Sequence, residues 1–188
     1  KSGVMAREFE RAGFRCICLD IENDNRTEGN VHYAQCDLSD PLDAETSINC
    51  FKGSSHDVSF LTGFPPCDHL AVSGARWFRG KGLRALQQSI GFFATSTELA
   101  ELYRAPYFLE NPVSTISTYW RKPDETFHPS DFTGFCLEDN YTKKTCLWVG
   151  NGFVMPEPKR DFSLGEPDDR IHKAPPGPDR ANFRSATP

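Results

Sequence analysis

The segment Gly63-Phe64-Pro65-Pro66-Cys67-Asp68-His69-Leu70 decides the fold that the sequence predicts. Residues 57–62 precede it and are β-branched and aromatic, which is typical of a short strand. Because proline has a fixed φ and no N–H group, the Pro65-Pro66 pair ends strand pairing at once. Cys67 is therefore predicted to lie on a stiff loop past the carboxyl end of a strand, where open α/β sheets bind ligands. The thiol is either a nucleophile or a small buried cysteine that caps the strand.

A second segment, residues 106–112, is predicted to form another short apolar strand, which ends in Glu110-Asn111-Pro112. The helical periodicity of residues 83–103 lies between the two strands. In a strand–helix–strand unit of this kind the two strands are usually parallel neighbours. The sequence therefore predicts Cys67 and Glu110 at one edge of the sheet, as a nucleophile paired with an acid or base.

The first fifty residues predict two further units of the same sheet. Residues 3–14 are predicted to form a helix, with its buried stripe at Val4, Met5, Phe9 and Ala12, and residues 15–21 a strand. Gly3 at the helix start and Asp20 near the strand end are typical of a site for a nucleotide-type cofactor. The alternating Cys16 and Cys18 are predicted to be core residues.

The next predicted strand, residues 31–36, leads directly into Asp37. A short helix is predicted to follow, running to about residue 50. The Asp37 carboxylate would be placed to accept a hydrogen bond from an adenine amino group. The alternative is that Asp37 caps the helix.

Residues 71–82 predict a mobile loop that combines three glycines with cations and rings. Arg76 and Trp77 suit a phosphate and an unpaired base. The alternative is a solvated loop with one anchoring tryptophan. In the helix that follows, Gly91 predicts close packing on the sheet, and the predicted core positions are Leu83, Leu86, Ile90, Phe93, Ala94, Leu99 and Leu102.

The last third of the sequence is poorer in regular patterns. Residues 113–123 predict an irregular loop near the site, a short strand is predicted near Phe132, and residues 146–149 predict a late strand. The Pro- and Gly-rich residues 151–188 predict a loop-rich tail that returns to the same domain as residues 1–150.

Composition limits the class of protein. The 188 residues suit a single domain, and no apolar run approaches the length that a bilayer requires. A net charge of -5 does not suit a general nucleic-acid binder, so any basic surface must be local. The seven cysteines fit neither a disulfide framework nor a zinc site, which predicts a reduced protein in the cytoplasm. Residues 67–69 do not suit a metal site, because neighbours on one loop cannot easily face one ion.

These motifs resemble those of cytosine-C5 DNA methyltransferases, and most closely the short methylase-like proteins of phages and prophages. The shared patterns are Pro-Pro-Cys-x-x-Leu-Ala-Val-Ser-Gly-Ala-Arg-Trp-Phe at 65–78, Glu-Asn-Pro-Val at 110–113 and Lys-Thr-Cys-Leu-Trp at 144–148. The resemblance covers most of the chain. It implies an α/β fold, with a Rossmann-like sheet that binds S-adenosyl-L-methionine and helices on both faces. It also implies that a strand precedes residue 2 and a helix follows residue 188, so that the sequence is trimmed at both ends.

The resemblance implies a covalent mechanism, in the cytoplasm of a bacterium or a phage-infected host cell. Cys67 would attack C6 of a flipped cytosine while Glu110 engages N3. The implied catalytic residues are Cys67, Glu110, Asn111 and Lys144. The implied cofactor contacts are Gly3, Asp20, Ile21, Asp37, Leu38 and Pro65. The implied substrate contacts on DNA are Arg76, Trp77 and Lys143.

Three departures from the family pattern bear on this function. Asp68 stands where the larger enzymes usually have glutamine, and no Gln-x-Arg-x-Arg segment is present. The segment after Val149 is too short for a recognition domain, so specificity would be slight or supplied by a partner or an oligomer. Two alternatives stay open: an amino-group methyltransferase acting on adenine N6 or cytosine N4, and a non-catalytic binding or accessory protein with the same fold.

Overall fold

A computed structural model describes residues 3–53 and 57–173, and these residues form an α/β structure. The helices are α1 (Val4–Arg11), α2 (Pro41–Lys52), α3 (Phe78–Tyr103), α4 (Ile116–Tyr119) and α5 (Arg170–Lys173). The strands are β1 (Cys16–Asp20), β2 (Arg26–Glu28), β3 (Val31–Gln35), β4 (Leu61–Gly63), β5 (Tyr107–Pro112), β6 (Glu125–Phe127) and β7 (Thr145–Gly150). Short 3-10 helices cover Val72–Trp77, Pro129–Phe132, Leu137–Asp139 and Phe162–Leu164.

The described strands form two sheets, with the orders β1-β3-β2 and β4-β5-β7-β6. Strand β1 pairs with β3 in parallel and β4 pairs with β5 in parallel, whereas β2, β6 and β7 add antiparallel pairs. The predicted α/β class is therefore confirmed, and so is the predicted parallel pairing of the two strands that precede Cys67 and carry Glu110. The prediction of a single sheet is wrong, because β1 and β4 form no ladder with each other in the described residues.

The two sheets share a hydrophobic core under α2 and α3. Leu19 of β1 and Leu61 of β4 both pack against a cluster that includes Ile48 of α2 and Leu99 of α3. A second cluster fills the space between α3 and the larger sheet, and its members include Phe93, Tyr107, Leu109, Ile116 and Trp148. Burial of these apolar side chains is the main force that holds the two sheets side by side.

Polar contacts, rather than an apolar stripe, hold helix α1 in place. Val4, Met5 and Ala12 are exposed and only Phe9 is half-buried, so the predicted buried stripe is wrong. Arg7 binds Glu28, and the Glu10 carboxylate accepts a hydrogen bond from the Asn30 N–H group at 2.7 Å. A small sheet offers α1 little apolar surface, so these charged groups replace part of the hydrophobic contact.

The cysteines of β1 also differ from the prediction. Cys16 and Cys18 are half-buried and do not belong to the core clusters. Burial nevertheless raises the pKa of both thiols.

Helix α3 is longer than predicted and less apolar on its buried face. Leu83 is 83% exposed, and Ala94 and Leu102 are also exposed, so these three predicted core positions are wrong. Phe93 and Leu99 are buried as predicted, and Leu86 and Ile90 are half-buried. Gly91 does not pack closely, because a Cβ there would meet nothing within 4 Å.

Several segments predicted to be irregular contain short helices. The predicted loop of residues 71–82 holds the 3-10 helix Val72–Trp77 and the start of α3, and residues 113–123 hold α4. The predicted strand near Phe132 is a 3-10 helix, and β6 lies before it. Strand β4 begins only at Leu61. Residues 174–188 of the predicted tail lie outside the described residues.

Glycine is required where β4 ends. Gly63 is buried, and a Cβ there would lie 2.6 Å from Cδ2 of Leu109 and 3.2 Å from Oγ of Ser96. Leu109 is a core residue with no exposed surface, so it has little room to yield. Gly63 therefore lets β4 approach β5 and α3 closely just before the Pro-Pro-Cys loop.

We expect Gly63→Ala to lower the free energy of unfolding by about 1–3 kcal/mol, because the added methyl group overpacks the core. Gly91→Ala is the matched control, because its Cβ would stand in open space. That variant should be neutral or stabilising by up to about 1 kcal/mol, since alanine favours the helix. Urea denaturation measures both, and equal effects would contradict the close approach at Gly63.

Candidate functional site

The pairing of β4 with β5 brings the two sequence motifs together. The parallel register places Leu61 opposite Tyr107 and Gly63 opposite Leu109. Gly63 is the last residue of β4, and Leu109 directly precedes Glu110 in β5. The loop that carries Cys67 and the strand end that carries Glu110 therefore leave the same edge of the larger sheet.

One buried hydrogen bond ties the loop to the strand end. The Asn111 side-chain amide donates to the Pro65 carbonyl oxygen at 2.8 Å. Asn111 is 1% exposed and Pro65 is also buried. Because a proline-ended strand has lost its ladder partners, this carbonyl would otherwise be a buried acceptor without a donor. Asn111 and Pro65 thus form the joint between the two motifs.

The two segments are joined again beyond Cys67. The Val72 N–H group donates to the Val113 carbonyl at 3.0 Å, and the Thr115 N–H group donates to the Leu70 carbonyl at 2.8 Å. An isolated antiparallel bridge pairs the residues between these bonds. The Cys67 segment is therefore fixed to the Glu110 segment on both sides of the cysteine.

The Cys67 side chain lies at the border of the core. It is half-buried, so the alternative of a fully buried capping cysteine does not describe it. Its carbonyl accepts from the N–H groups of Leu70 at 3.0 Å and Ala71 at 2.8 Å, which gives the backbone at Cys67 a tight turn. Cys36 and Cys146 are fully buried, and burial raises the pKa of Cys36 to about 11 and also raises the pKa of Cys146.

Glu110 lies on the face of β5 opposite to Asn111. Burial alternates along the strand: Tyr107, Leu109 and Asn111 are buried, and Phe108 and Glu110 are half-buried. Desolvation raises the pKa of the Glu110 carboxyl group, and the nearby Lys143 ammonium partly offsets this effect. The group therefore keeps its proton to a higher pH than an ordinary glutamate and can donate a hydrogen bond.

The two lysines before β7 act on different groups. The charge of Lys143 acts on Glu110, whereas the charge of Lys144 acts on the buried thiol of Cys146. Cys146 is the β7 partner of Asn111 in the ladder. The structure thus assigns to Lys143 the position next to the Glu110 carboxyl group.

The other predicted substrate contacts lie on the surface. The Arg76 guanidinium lies 4.9 Å from the centre of the Trp77 ring, and both side chains are exposed. A cation stacked on an exposed ring suits contact with a polyanion that carries bases.

Three of the predicted cofactor contacts, Asp20, Ile21 and Asp37, lie at or just after the ends of the two parallel strands of the smaller sheet. Asp20 ends β1 and Asp37 follows the parallel strand β3, and the Cys36 N–H group bonds the Asp20 carbonyl at 3.2 Å. Ile21, directly after Asp20, is exposed. A carboxylate beside an exposed apolar side chain at strand ends fits the ribose and adenine of a nucleoside.

The Asp37 side chain has a local role in this edge. Its carboxylate accepts from the Ser39 N–H group at 2.9 Å and from the Ser39 hydroxyl at 2.7 Å, and both bonds lower its pKa. The cap of α2 is instead Asp40, which accepts from the Leu42 N–H group. The alternative that Asp37 caps the helix is therefore wrong in detail, although its carboxylate does shape the turn before it.

The remaining predicted cofactor contacts, Gly3, Leu38 and Pro65, are already in contact with other parts of the protein. Gly3 caps α1 with φ 61° and lies against the ring of Tyr33, which leaves no room for a side chain. Leu38 packs partly into the core cluster of α2 and α3. Pro65 is engaged through its carbonyl by Asn111.

Beside the motif loops, His69, Lys81, Thr115 and Tyr119 line a common pocket. Lys81 is one of the cations in the segment 71–82 that the sequence predicts to contact a nucleotide, whereas His69, Thr115 and Tyr119 are not among the predicted substrate contacts. Within residues 3–53 and 57–173, no set of three or more His, Cys, Asp and Glu side chains is placed to hold a metal ion. The same residues include no helix with the length and apolar character to cross a bilayer.

Comparison with known proteins found no match among protein-family models, curated proteins or solved structures.

We expect Asn111→Asp to lower the free energy of unfolding by about 1–3 kcal/mol, because a carboxylate oxygen replaces the donor that faces the Pro65 carbonyl. The looser loop should also speed alkylation of Cys67 by iodoacetamide, measured by mass spectrometry of the Cys67 peptide. The exposed Cys50 is the internal control, since its rate should not change. An unchanged Cys67 rate would contradict the role of Asn111 as the joint.

We expect Glu110→Gln to gain stability relative to the wild type as the pH rises. The folded chain holds the Glu110 proton more tightly than the unfolded chain, so ionisation destabilises the folded state as the pH passes the raised pKa. Glutamine cannot ionise, so it does not lose this stability. Urea denaturation of both proteins from about pH 4 to about pH 8 measures the difference. Parallel profiles would show that burial does not hold the proton.

Proposed function

We propose that this chain is an S-adenosyl-L-methionine-dependent methyltransferase that acts on C5 of cytosine in DNA, in the cytoplasm. The observation that carries the proposal is the 2.8 Å bond from Asn111 to the Pro65 carbonyl, which joins the Pro-Pro-Cys and Glu-Asn-Pro segments. The sequence resemblance assigns a nucleophile and an acid to these two segments. The reaction needs both groups to act on one pyrimidine ring, and it therefore requires a fixed contact between the two segments.

Cys67 is the proposed nucleophile. Cytosine C5 is a poor nucleophile, and addition of a thiolate at C6 turns C5 into an enamine-like carbon. Cys67 is half-buried, whereas Cys36 and Cys146 are buried. Of these three thiols, Cys67 alone combines partial exposure with a loop that hydrogen bonds fix to the Glu110 segment.

Glu110 is the proposed acid that engages N3. A protonated carboxyl group can donate to N3 as the thiolate adds at C6, which draws electrons away from the ring. Burial raises the pKa of Glu110, and this favours the protonated form that donation needs. The Lys143 ammonium would stabilise the carboxylate that remains after the proton moves.

The remaining steps restore the nucleophile. Once C5 carries the methyl group, a base removes the C5 proton, the C6–S bond breaks and the Cys67 thiolate leaves. N3 returns its proton to the Glu110 carboxylate, which restores both side chains. The target base must be flipped out of the helix, because its C5–C6 face is stacked in duplex DNA. Asn111 acts as a positioning residue in this scheme, since its amide is committed to the Pro65 carbonyl.

The cofactor is placed at the edge of the smaller sheet, in a Rossmann-like arrangement of the two sheets. Asp20 and the exposed Ile21 would hold the ribose and the adenine, and Gly3, Asp37, Leu38 and Pro65 complete the proposed set. S-adenosyl-L-methionine, when bound, supplies an electrophilic methyl group.

A trapping experiment tests the reaction. We expect an oligonucleotide that contains 5-fluorocytosine to form a covalent adduct with the protein in the presence of S-adenosyl-L-methionine, because fluorine at C5 blocks release of the thiolate. Cys67→Ser should abolish the adduct, and Glu110→Gln should slow its formation by about 10²–10⁴-fold. Denaturing gel electrophoresis and peptide mass spectrometry measure both.

Cys50→Ser is the control, because this exposed cysteine lies on α2, away from the motif loops. An adduct that survives Cys67→Ser would overturn the proposal, and methyl transfer that survives it would point to an amino-group methyltransferase. Cofactor binding without an adduct or methyl transfer would point to a non-catalytic binding protein.

A further inference from the structure

A pocket of about 380 Å³ lies beside the two joined motif segments. It is walled by the turn after Cys67, by the first turns of α3 and by the segment around α4. The side chains that line it include His69, Phe78, Arg79, Lys81, Thr115 and Tyr119. Neither Cys67 nor Glu110 lines it, so the pocket is a neighbour of the proposed reaction site and not the site itself.

The pocket exists because α3 is broken near its start. Gly82 has φ 81° and ψ 168°, so the chain leaves the helical path between the first turn of α3 and Leu83. Only glycine adopts this conformation without strain. Gly82 itself lines the pocket, and a straight helix would carry the first turn of α3 elsewhere.

One wall of the pocket is cationic. Arg79 and Lys81 line it, and neither Asp nor Glu is among the side chains that line it with them. The Lys81 ammonium donates to the carbonyl of Asp68, the residue directly after Cys67. An ammonium group has three donors, so Lys81 can bind an anion and hold this loop at the same time.

The pocket also presents aromatic rings. Tyr119 is 56% exposed and Phe78 is half-buried, so both offer ring surface for stacking. The ring of His69 lines the same pocket, although its Nδ1 atom is buried and has no hydrogen-bond partner among the described residues.

Two cation–ring pairs directly adjoin lining residues in the sequence. The Arg76 guanidinium lies 4.9 Å from the ring centre of the exposed Trp77, which precedes Phe78. The Arg121 guanidinium, which also binds Asp124, lies 4.4 Å from the ring centre of the exposed Trp120, which follows Tyr119. Exposed rings with stacked guanidinium groups are typical of surfaces that follow a single nucleic-acid strand.

We infer that this pocket binds one unpaired nucleotide of a DNA strand, next to the target cytosine. The phosphate lies against Arg79 and Lys81, and the base stacks on Tyr119. The volume is near the lower end of the range for ligand pockets, which suits one nucleotide and excludes a base pair. The identity of the neighbouring strand as a methylation substrate rests on the proposed function, whereas nucleotide binding in the pocket does not.

Binding of a short oligothymidylate tests the inference, because this strand has no cytosine and cannot use the proposed reaction site. Fluorescence anisotropy on the Cys67→Ser protein should show binding that weakens as salt increases. We expect Lys81→Gln to weaken it about tenfold, through loss of a charge-assisted contact. Tyr119→Ala should weaken it by a similar factor, of about tenfold, through loss of stacking.

Arg84→Gln is the matched control, because it removes the same charge from the same helix. The Arg84 guanidinium binds Gln87 at 2.8 Å and does not line the pocket. We expect its effect to be less than about twofold, as for a general electrostatic change. Gly82→Ala, which strains the kink, should lose binding while Gly91→Ala keeps it.

Four outcomes would overturn the inference. The first is that Lys81→Gln and Arg84→Gln lose equal affinity, and the second is that duplex DNA binds as tightly as the single strand. The third is that inorganic phosphate competes as well as thymidine 5′-monophosphate, and the fourth is that the oligothymidylate does not bind. Circular dichroism and urea denaturation confirm that each variant is folded. Because the probe lacks cytosine, the two tests are independent. Absence of oligothymidylate binding would overturn the pocket assignment but not the proposed reaction, and absence of the 5-fluorocytosine adduct would overturn the reaction but not the pocket assignment.

Discussion

The bond from the Asn111 amide to the Pro65 carbonyl is the constraint on which the candidate site depends. A strand that ends in Pro-Pro cannot continue its ladder, so its last carbonyl groups need donors from elsewhere. Leaving such a buried acceptor unpaired costs about 1–3 kcal/mol, a large part of the 5–15 kcal/mol by which a domain is stable. Because the donor belongs to the Glu-Asn-Pro segment, satisfying this carbonyl also fixes the distance between the two motifs.

Because side chains alternate between the two faces of a β-strand, the adjacent residues Glu110 and Asn111 have different roles. Asn111 faces the buried side of β5 and serves the structure, while Glu110 faces the half-buried side, where Lys143 acts on it. The partial burial is what raises the pKa of the Glu110 carboxyl group, which favours its protonated form relative to that of an exposed glutamate. A fully exposed glutamate would lose this property, and a fully buried one would have no access to a substrate. The motif Glu-Asn-Pro therefore encodes an accessible acid and its anchor in consecutive positions.

The site could be predicted from the sequence where the signals are local. Short apolar runs that end in proline located β4 and β5, and the helix between them predicted their parallel pairing, which the structure confirms. The errors come from contacts that a local pattern does not contain. Residues 72–77 were predicted to be a loop because of their glycines and charges, but bonds to residues 113–115 hold them as a 3-10 helix. The exposed Leu83 follows the kink at Gly82, and helical periodicity alone cannot show that kink.

The net charge of the chain does not predict the charge of the pocket lined by Arg79 and Lys81, because acidic and basic residues are unevenly distributed along the sequence. The whole sequence is acidic, with a net charge of -5, but residues 69–97 carry four cations and no Asp or Glu. At physiological ionic strength, charges are largely screened beyond about 8 Å, so distant acidic groups do not cancel the field at Arg79 and Lys81. Asp68 is a carboxylate near this wall, and Arg79 and Lys81 together outnumber it. The same Lys81 that forms this wall holds the carbonyl of Asp68, next to Cys67, so its attraction for an anion acts beside the proposed nucleophile.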